Sequence, residues 1–361
     1  MYFFITSITI IIYVIILTNK LVNINIGGEL LKVDILLATY NGEKYINYQI
    51  ESILNQKFSD FRLIISDDCS TDNTVSIIEK YLKIDERIVL YKQKKNLGYI
   101  KNFEYLLSKS DAEYIMFCDQ DDVWVSEKIQ KQLDYICNKD CSLVYSNVIL
   151  VDEKDNELNK DYYEELRINP LSKKCKKNIL FRNPIIGNTV IINKQLKDKL
   201  ISIPDSIPHD WYLGIIASLE GGVEYYPERL VRYRQHSNNT SGVKSNIEES
   251  KVNILKKNNI LLKRNQLITE RIDFLATLEN HFKMNNVYVE EQKFIKKCIQ
   301  YLENIKKKDK INFNLVGFIR YGYYMDTKLT HKIIFLVIFH FPLVLQWIVS
   351  AYNLIYKRAV K

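Results

Sequence analysis

Short apolar segments alternate with helical patterns over residues 33–150, and this alternation limits the fold more than any other feature of the chain. Between these segments, hydrophobic side chains return at the three- and four-residue spacing of an amphipathic helix. The predicted strands are 33–38, 62–66, 88–91, 114–118 and 143–149, and the predicted helices are 43–56, 71–82, 99–109 and 126–137. This order predicts an α/β fold whose mostly parallel, doubly wound sheet has helices on both faces.

The pattern changes after residue 150. Residues 151–242 are less regular, with predicted helices near 171–181, 194–201 and 209–219 and a predicted strand at 189–192. From residue 247 to about 310 the spacing of apolar side chains is helical again, and Asn285 and Asn286 interrupt it. We therefore predict a helical hairpin after the sheet.

Polar residues gather at the ends of the predicted strands. The first strand is followed by Thr39–Gly42, the second by Asp67–Asp72, and the strand at 114–118 by Asp119–Asp122. In open α/β sheets ligands bind at the carboxyl ends of the strands, so these segments are candidates for one site. An acidic residue at a strand end is also a common helix cap, and that alternative stays open for the second segment.

The segment Asp119-Gln120-Asp121-Asp122 places carboxylates so close together that they repel one another unless a cation compensates. Oxygen ligands at this density suit Mg²⁺ or Mn²⁺, and such ions usually bridge carboxylates to substrate phosphates. A solvated acidic turn is the alternative. The segment is therefore a candidate metal and phosphate site.

Two later segments carry groups that could complete such a site. Asp210, at the start of an apolar helix, could be a cap or a general base that deprotonates a hydroxyl. In Arg232–Asn239, two arginines and a histidine could hold a diphosphate and complete a metal shell. The sequence alone does not show that these segments meet.

From Val33 to about Gly242 the chain resembles the family-2 inverting glycosyltransferases of the GT-A fold. It is especially similar to rhamnosyltransferase-like enzymes of bacterial cell-surface polysaccharide pathways. The matching strings, in order, are VDILLATYNGEKYINYQIESILNQ, DDCSTDNT, NLGYIKNFEYLL, FCDQDDVW, HDWYL and YRQHSNNTSG. The resemblance implies a nucleotide-diphospho-sugar donor and a single in-line displacement at the anomeric carbon.

The resemblance also implies a role for the reacting groups. Asp210 would be the catalytic base. Asp121 would bind Mn²⁺ or Mg²⁺ directly, and Asp119 would face the ribose or a metal-bound water. His236 would meet both the metal and the diphosphate.

The resemblance places further residues around the substrates. The nucleoside would contact Ala38, Thr39, Tyr40 and Asp68, with Asp67 supporting the turn. The phosphates would contact Arg234, Asn96 and Lys101, and the donor sugar would contact Asp122. Gly187 and Asn188 would border the sugar and the acceptor, and His209 would lie beside the catalytic base.

Two other readings of the acidic segment stay open at this point. Nucleotidyl transfer also needs a nucleotide pocket and acidic metal ligands, but it usually shows a glycine-rich phosphate loop, and Thr39–Gly42 is a poor one. A non-catalytic, membrane-bound module for binding sugar or metal is the second. The Gln-x-x-Arg-Trp string of processive family members does not occur, which favours the addition of one sugar per encounter.

The charge of the chain is unevenly distributed. The formal net charge is +8. Residues 1–242 carry 30 basic and 33 acidic side chains, whereas residues 243–361 carry 21 and 10. The predicted catalytic part is therefore slightly acidic, which argues against nucleic acid as a partner. The basic C-terminal part predicts an anionic membrane surface as a partner, where a glycan or lipid-linked saccharide would be the acceptor.

Two uncharged segments bear on membrane attachment. Residues 2–19 could be a signal anchor, although residues 1–30 could also precede the true start of translation. Residues 333–356 could span a bilayer, bend into it or lie on its surface, or they could form a buried helix. We predict four regions: 1–30, a GT-A domain at 31–242, a helical hairpin at 243–310 and a membrane-associating tail at 311–361. The spacing of the six cysteines suggests no pairing, so we expect reduced thiols, as in a cytosolic chain. Together with the membrane-associating tail, this expectation predicts a bacterial enzyme on the cytoplasmic face of the cell membrane.

Overall fold

The computed structural model describes residues 33–236, apart from 167, 169 and 172–177, and residues 259–307. The segments 1–30 and 311–361 and the boundary at residue 242 lie outside the described residues, so the predictions made for them stay predictions. None of the described helices is long and apolar enough to cross a membrane. Within the same ranges Cys69, Cys118, Cys137, Cys141 and Cys298 are free thiols.

The described strands form one mixed sheet. They are β1 (Val33–Thr39), β2 (Phe61–Asp67), β3 (Ile88–Lys92), β4 (Tyr114–Cys118), β5 (Val123–Trp124), β6 (Leu143–Val151), β7 (Val190–Asn193) and β8 (Val223–Arg234), in the spatial order β3-β2-β1-β4-β7-β6-β8-β5. The first four strands pair in parallel, as predicted. Strands β5 and β7 pair antiparallel to their neighbours, so the expectation of a mostly parallel sheet needs correction in the second half.

The helices follow the predicted alternation closely. They are α1 (Ile46–Leu54), α2 (Thr74–Leu82), α3 (Tyr99–Lys109), α4 (Lys128–Cys137), α5 (Tyr162–Glu165), α6 (Lys194–Lys199), α7 (His209–Glu220), α8 (Asn259–Met284) and α9 (Val289–Lys307). The helix predicted near 171–181 is corrected at its described end, where residues 178–180 form only a 3₁₀ turn.

Two hydrophobic clusters, one on each face of the sheet, hold these layers together. Successive side chains of a strand point to opposite faces, and accordingly Ile35 and Leu37 lie in one cluster and Leu36 in the other. Helices α1 and α4 cover the first face, whereas α3 and α7 cover the second. Strands β1, β2 and β4 are thereby buried along almost their whole length, which explains why they read as short continuous apolar runs.

The predicted hairpin is present as helices α8 and α9, and it packs on the face that α7 covers. The chain reverses after α8 at Asn286, whose φ is 54°. Leu275, Leu278 and Phe282 of α8 and Ile295 of α9 are buried in the same cluster as the residues of α7. The hairpin therefore extends the core of the sheet domain, and it brings side chains of α8 to the N-terminal end of α7.

Candidate active site

A cleft of about 1020 Å³ opens where strands β1, β2 and β4 end. The predicted site residues that line it are Ala38, Thr39, Tyr40, Asp68, Asn96, Asp119, Asp121, Gly187, His209, Asp210 and His236. The sheet and helix α7 thus bring together segments that are far apart in the sequence. Asp67, Lys101, Asp122, Asn188 and Arg234 do not border the cleft in the part of the chain that the structure describes.

One end of the cleft is built from the turns after β1 and β2. Thr39 Oγ1 donates a hydrogen bond to Asp67 Oδ1 at 3.1 Å, and the backbone N–H of Ser70 donates to Asp67 Oδ2 at 2.9 Å. Asp67 is 2% exposed, so its carboxylate braces the turn from beneath. Above it Tyr40, 46% exposed, offers an aromatic face to the cleft.

Asp68 joins the end of β2 to the loop before α3. Its two carboxylate oxygens accept hydrogen bonds from the backbone N–H groups of Leu97 and Gly98, at 2.7 and 2.8 Å. Asn96 Nδ2 donates to the carbonyl oxygen of Asp68 at 3.2 Å. Each carboxylate oxygen has a second lone pair, so Asp68 can still accept a hydrogen bond from a ligand in the cleft.

Gln120 connects this turn to the acidic segment, a role that the sequence did not indicate. Its Oε1 accepts from the backbone N–H of Tyr40 at 2.9 Å, and its Nε2 donates to the Tyr40 carbonyl at 3.0 Å. A Cβ on Gly42 would overlap the Gln120 amide. Glycine at position 42 therefore allows the amide to fix Tyr40 relative to the flanking carboxylates.

The acidic segment divides between the cleft and the core. Asp119 and Asp121 border the cleft. Burial, together with the charges of Asp121 and Asp210, raises the pKa of Asp119 to about 7. The charges of Asp121 and Asp210 disfavour ionisation of Asp119 in addition to burial, and a bound cation would oppose that effect.

Asp122 lies beneath the cleft and is fully buried, which corrects the expectation that it touches the donor sugar. It accepts hydrogen bonds from the Asn188 side chain and from the backbone N–H of Arg234, the latter at 2.8 Å. Burial, and then the charges of Asp121 and Asp119, raise its pKa well above the ordinary value. Asp122 and Asn188, which was expected at the sugar, instead tie three chain segments together.

Arg234 does not border the cleft, although its guanidinium carbon lies 5.0 Å from the ring of Tyr45, which does. Nε donates to the carbonyl oxygen of Asp121 at 2.9 Å, and Nη1 donates to the carbonyls of Asp152 and Glu153 at 3.4 and 3.3 Å. The side chain is 4% exposed. Arg234 therefore supports the backbone of the acidic segment, and its contact with the diphosphate stays a prediction.

Lys101 is the other cation that the structure places elsewhere. Its Nζ lies 2.7 Å from Glu104 Oε2, 3.0 Å from Asp205 Oδ1 and 2.7 Å from the carbonyl oxygen of Ile203. These three acceptors hold the ammonium outside the cleft. The prediction that Lys101 approaches the phosphates is therefore not supported by its position.

Asp121 and His236 form the pair best suited to a divalent cation. His236 Nε2 lies 2.8 Å from Asp121 Oδ2, and the imidazole stacks on the Tyr45 ring with centroids 5.3 Å apart. Among the described residues, no three His, Cys, Asp or Glu side chains are arranged to hold a metal by themselves. The pair fits Mg²⁺ or Mn²⁺, which usually take one or two protein ligands and substrate phosphates.

Asp210 faces the cleft from the first turn of α7. Its Oδ1 accepts from the backbone N–H of Trp211 at 2.7 Å. Burial raises the pKa of Asp210 to about 6, although hydrogen bonds from Trp211 and the Asn183 side chain oppose the shift. A carboxylate with this pKa is ionised at neutral pH and is a stronger base than a solvated aspartate.

His209 closes the wall next to Asp210. It is 5% exposed, its ring stacks on Phe103 with centroids 4.0 Å apart, and burial lowers its pKa to about 3. Neither ring nitrogen has a hydrogen-bond partner among the described residues. A Cβ on Gly187 would lie 3.0 Å from His209 Nε2, so glycine lets this neutral imidazole border the cleft.

Several cleft residues had no signal in the sequence. Tyr45 directly precedes α1, and Asn183 and Tyr162 lie in the irregular region. Only the tertiary structure brings the last two near Asp210. Their positions depend on long-range contacts, which local patterns do not encode.

Part of this chain is similar in sequence to known proteins. A sequence model of the family described as glycosyl transferase family 2 matches residues 34–197. A glycosyltransferase of Haemophilus influenzae, named as uncharacterized, is 32% identical over 243 residues, which cover 65% of this chain and 75% of that protein. The dTDP-rhamnosyl transferase RfbG of Shigella flexneri is 34% identical over 221 residues, which cover 57% of this chain and 73% of RfbG.

Among solved structures, residues 1–349 of TarS from S. aureus, in complex with UDP-GlcNAc, cover 72% of this chain and 77% of that one. The TM-score is 0.47 and the sequence identity is 18%.

Proposed function

Because the chain belongs to family 2 of the glycosyltransferases, we propose that it moves one sugar from a nucleotide-diphospho-sugar to an acceptor hydroxyl, with inversion at the anomeric carbon. Membership of this family decides against the nucleotidyltransferase and non-catalytic readings of the acidic segment. The observation that carries the proposal is the placement of Asp210 on the same cleft as Asp119 and Asp121. A base on one wall and a diphosphate site on the other is the arrangement that an in-line displacement needs.

The residues at each end of the cleft indicate which part of the donor would bind there. The nucleoside would stack near Tyr40, and a base imide would donate to the remaining lone pair of Asp68. Asp121 and His236 would hold Mn²⁺ or Mg²⁺ beside the diphosphate, where the ion supplies Lewis-acid stabilisation of negative charge. A nearby cation would also lower the raised pKa of Asp119.

Asp210 would carry out the proton transfer. Its carboxylate takes the proton of the acceptor hydroxyl while that oxygen forms a bond to the anomeric carbon. The bond between that carbon and the diphosphate oxygen breaks, and the nucleoside diphosphate leaves with its negative charge. The hydrogen bonds from Trp211 and Asn183 fix the Asp210 carboxylate for this step.

The finer identity of the substrates is part of the proposal. UDP- and dTDP-sugars are the proposed donors, and dTDP-rhamnose is the first to test because RfbG is named as a dTDP-rhamnosyl transferase. The proposed acceptor is a lipid-linked or cell-surface glycan. The basic composition of residues 243–361 supports a location at the cytoplasmic face of the cell membrane.

A donor panel tests the proposed function. The full chain is incubated with dTDP-rhamnose, UDP-glucose, UDP-galactose or UDP-GlcNAc and Mn²⁺ or Mg²⁺, with and without membrane extract of the producing organism. We expect release of nucleoside diphosphate from one donor, and faster release when the extract supplies an acceptor. Sugar binding without release from any donor would instead support a binding module.

The pKa of Asp210 predicts a pH profile. A general base must be ionised, so kcat/KM should fall about tenfold per pH unit below roughly pH 6 and level off above it. Initial rates from pH 5 to 8.5 measure this. The residual activity of an Asp210→Asn variant should lack the acidic decline, whereas a wild-type rate that stays constant down to pH 5 would contradict the assignment.

A further inference from the structure

Helix α8 of the helical hairpin places a cation against a side chain of the cleft wall, next to the proposed base. Trp211 borders the cleft directly after Asp210. Phe274 of α8 stacks on Trp211 with ring centroids 4.1 Å apart, and the guanidinium carbon of Arg271 lies 5.4 Å from the Trp211 centroid. Helix α8 therefore places a positive charge against the aromatic side chain that follows the base.

Among the described residues, Arg271 has no ion-pair partner. Its guanidinium makes no hydrogen bond with any of them, and the guanidinium carbon lies 5.4 and 5.7 Å from the ring centroids of Trp211 and Phe274. Burial lowers the pKa of Arg271 to about 10. The charge of exposed Glu270 opposes this shift, and the charge of Arg182 adds to it. Arg271 remains protonated at neutral pH, and a nearby anion would stabilise it.

Arg182 brings a second positive charge to the same wall. Its Nη2 donates to the carbonyl oxygen of Leu166 at 3.5 Å, and Leu166 borders the cleft. Burial and then the charge of Asp210 raise the pKa of Tyr162, another cleft residue, and the charge of Arg182 opposes this shift. Arg182 thus lies beside Leu166 and near Tyr162, two residues that border the cleft, and its charge also acts on Arg271.

This wall belongs to the acceptor in the proposed reaction. Asp210 takes its proton from the acceptor hydroxyl, so the groups around Asp210 and Trp211 face the acceptor, while Asp121 and His236 face the donor diphosphate. An aromatic side chain next to a guanidinium suits a saccharide that carries an anion: the ring packs on the sugar, and the planar fork of arginine matches a phosphate or carboxylate.

We propose that Arg271, with Arg182 and Trp211, forms a subsite for an oxyanion of the acceptor, so that the enzyme glycosylates a saccharide bearing a phosphate or carboxylate near the accepting hydroxyl. The inference rests on the proposed function and specifies its acceptor class. Arg271 is a binding residue in this scheme, because it acts on the acceptor and not on the reacting atoms.

The test uses the full chain, a labelled donor from the panel and membrane extract as the source of acceptor. Arg271→Gln removes the charge and keeps a side chain that can pack on Trp211, and Arg271→Lys keeps the charge. Lys283→Gln, at an exposed position of the same helix, removes an equal charge away from the cleft. Circular dichroism checks that each variant is folded.

We expect the labelled product to bind an anion-exchange resin after its lipid has been removed. In Arg271→Gln, the amount of extract that gives half-maximal rate should rise about tenfold or more while kcat changes little, because a charge-assisted hydrogen bond to the acceptor is lost. Arg271→Lys should be intermediate, and Lys283→Gln should behave as wild type. Cold aqueous hydrofluoric acid, which hydrolyses phosphate esters, then separates the two anions, because a phosphate is lost and a carboxylate is retained.

A neutral product would overturn the subsite, and so would an Arg271→Gln variant whose requirement for extract equals that of wild type. Absence of transfer by the wild-type enzyme from every donor would instead defeat the proposed function itself. The two failures are therefore distinguishable in one set of measurements.

Discussion

Replacement of Asp210 by asparagine is expected to lower kcat for glycosyl transfer by about 10²–10⁴-fold, the range over which a positioned general base contributes. Asparagine keeps an oxygen that can accept the hydrogen bond from the Trp211 N–H, which Asp210 now accepts at 2.7 Å. It cannot take a proton from the acceptor hydroxyl. The change therefore removes the chemistry and leaves the local geometry of α7 in place.

Two measurements separate a catalytic from a structural role for Asp210. Burial raises the pKa of Asp210 to about 6, so folding stability is lost as pH rises from the unfolded pKa through the folded one, and at pH 7 the ionised carboxylate opposes folding. Asparagine removes that cost, and the Tm of the variant should equal or exceed that of wild type. Donor affinity, measured by calorimetry with the nucleoside diphosphate, should change little. Near-normal turnover would reject Asp210 as the base.

Replacement of Asp121 by alanine is expected to lower kcat/KM by at least about 100-fold, because stabilisation of the diphosphate by a bound cation is worth several kcal/mol. Asp121 Oδ2 lies 2.8 Å from His236 Nε2, so the variant retains at most the histidine at this position. The concentration of Mn²⁺ that gives half-maximal rate should rise as well. Rates over a Mn²⁺ titration, with the donor from the panel, measure both effects.

Asp205→Ala is the matched control for this change. Asp205 is exposed, pairs with Lys101 at 3.0 Å and does not border the cleft, so its loss changes the net charge equally without touching the site. Its kinetics should match wild type. Wild-type rates that persist in excess EDTA would reject the metal while leaving the glycosyltransferase proposal in place.

The first half of the fold was predictable because its signals are local. Strands β1 to β4 are short apolar runs separated by amphipathic helices. Strand β2 pairs with β1 and β3, its neighbours in the sequence, whereas β4 pairs with β1. Strand β8 was missed because Val223–Arg234 contains Pro227 and an exposed charged stretch, and its register with β6 shifts near Asn147. Proline within a run argues against a regular strand, so only pairing with β6 explains this strand.

The candidate site shows the same division. The turns after β1, β2 and β4 were recognised because polar residues end apolar strands, and the topology of a parallel sheet brings such ends together. That Asp210 would join them depended on the resemblance, and the packing of α7 against the sheet places it there. Gln120 and Asn183 were not recognised, since an amide gives no pattern in a sequence and acts here only through partners that are distant in the chain.

By itself, the sequence determined which segments before residue 151 become strands β1 to β4 and β6 and the helices between them, which of these strands end in carboxylates, and to which family the chain belongs. The tertiary structure decided which of the polar side chains reach the cleft. Arg234 and His236 are two residues apart, yet the guanidinium turns inward to the carbonyls of Asp121, Asp152 and Glu153, whereas the imidazole meets the Asp121 carboxylate. The reason is physical: a strand's composition reports its burial, but the direction of each polar side chain depends on the partners that other segments bring to it.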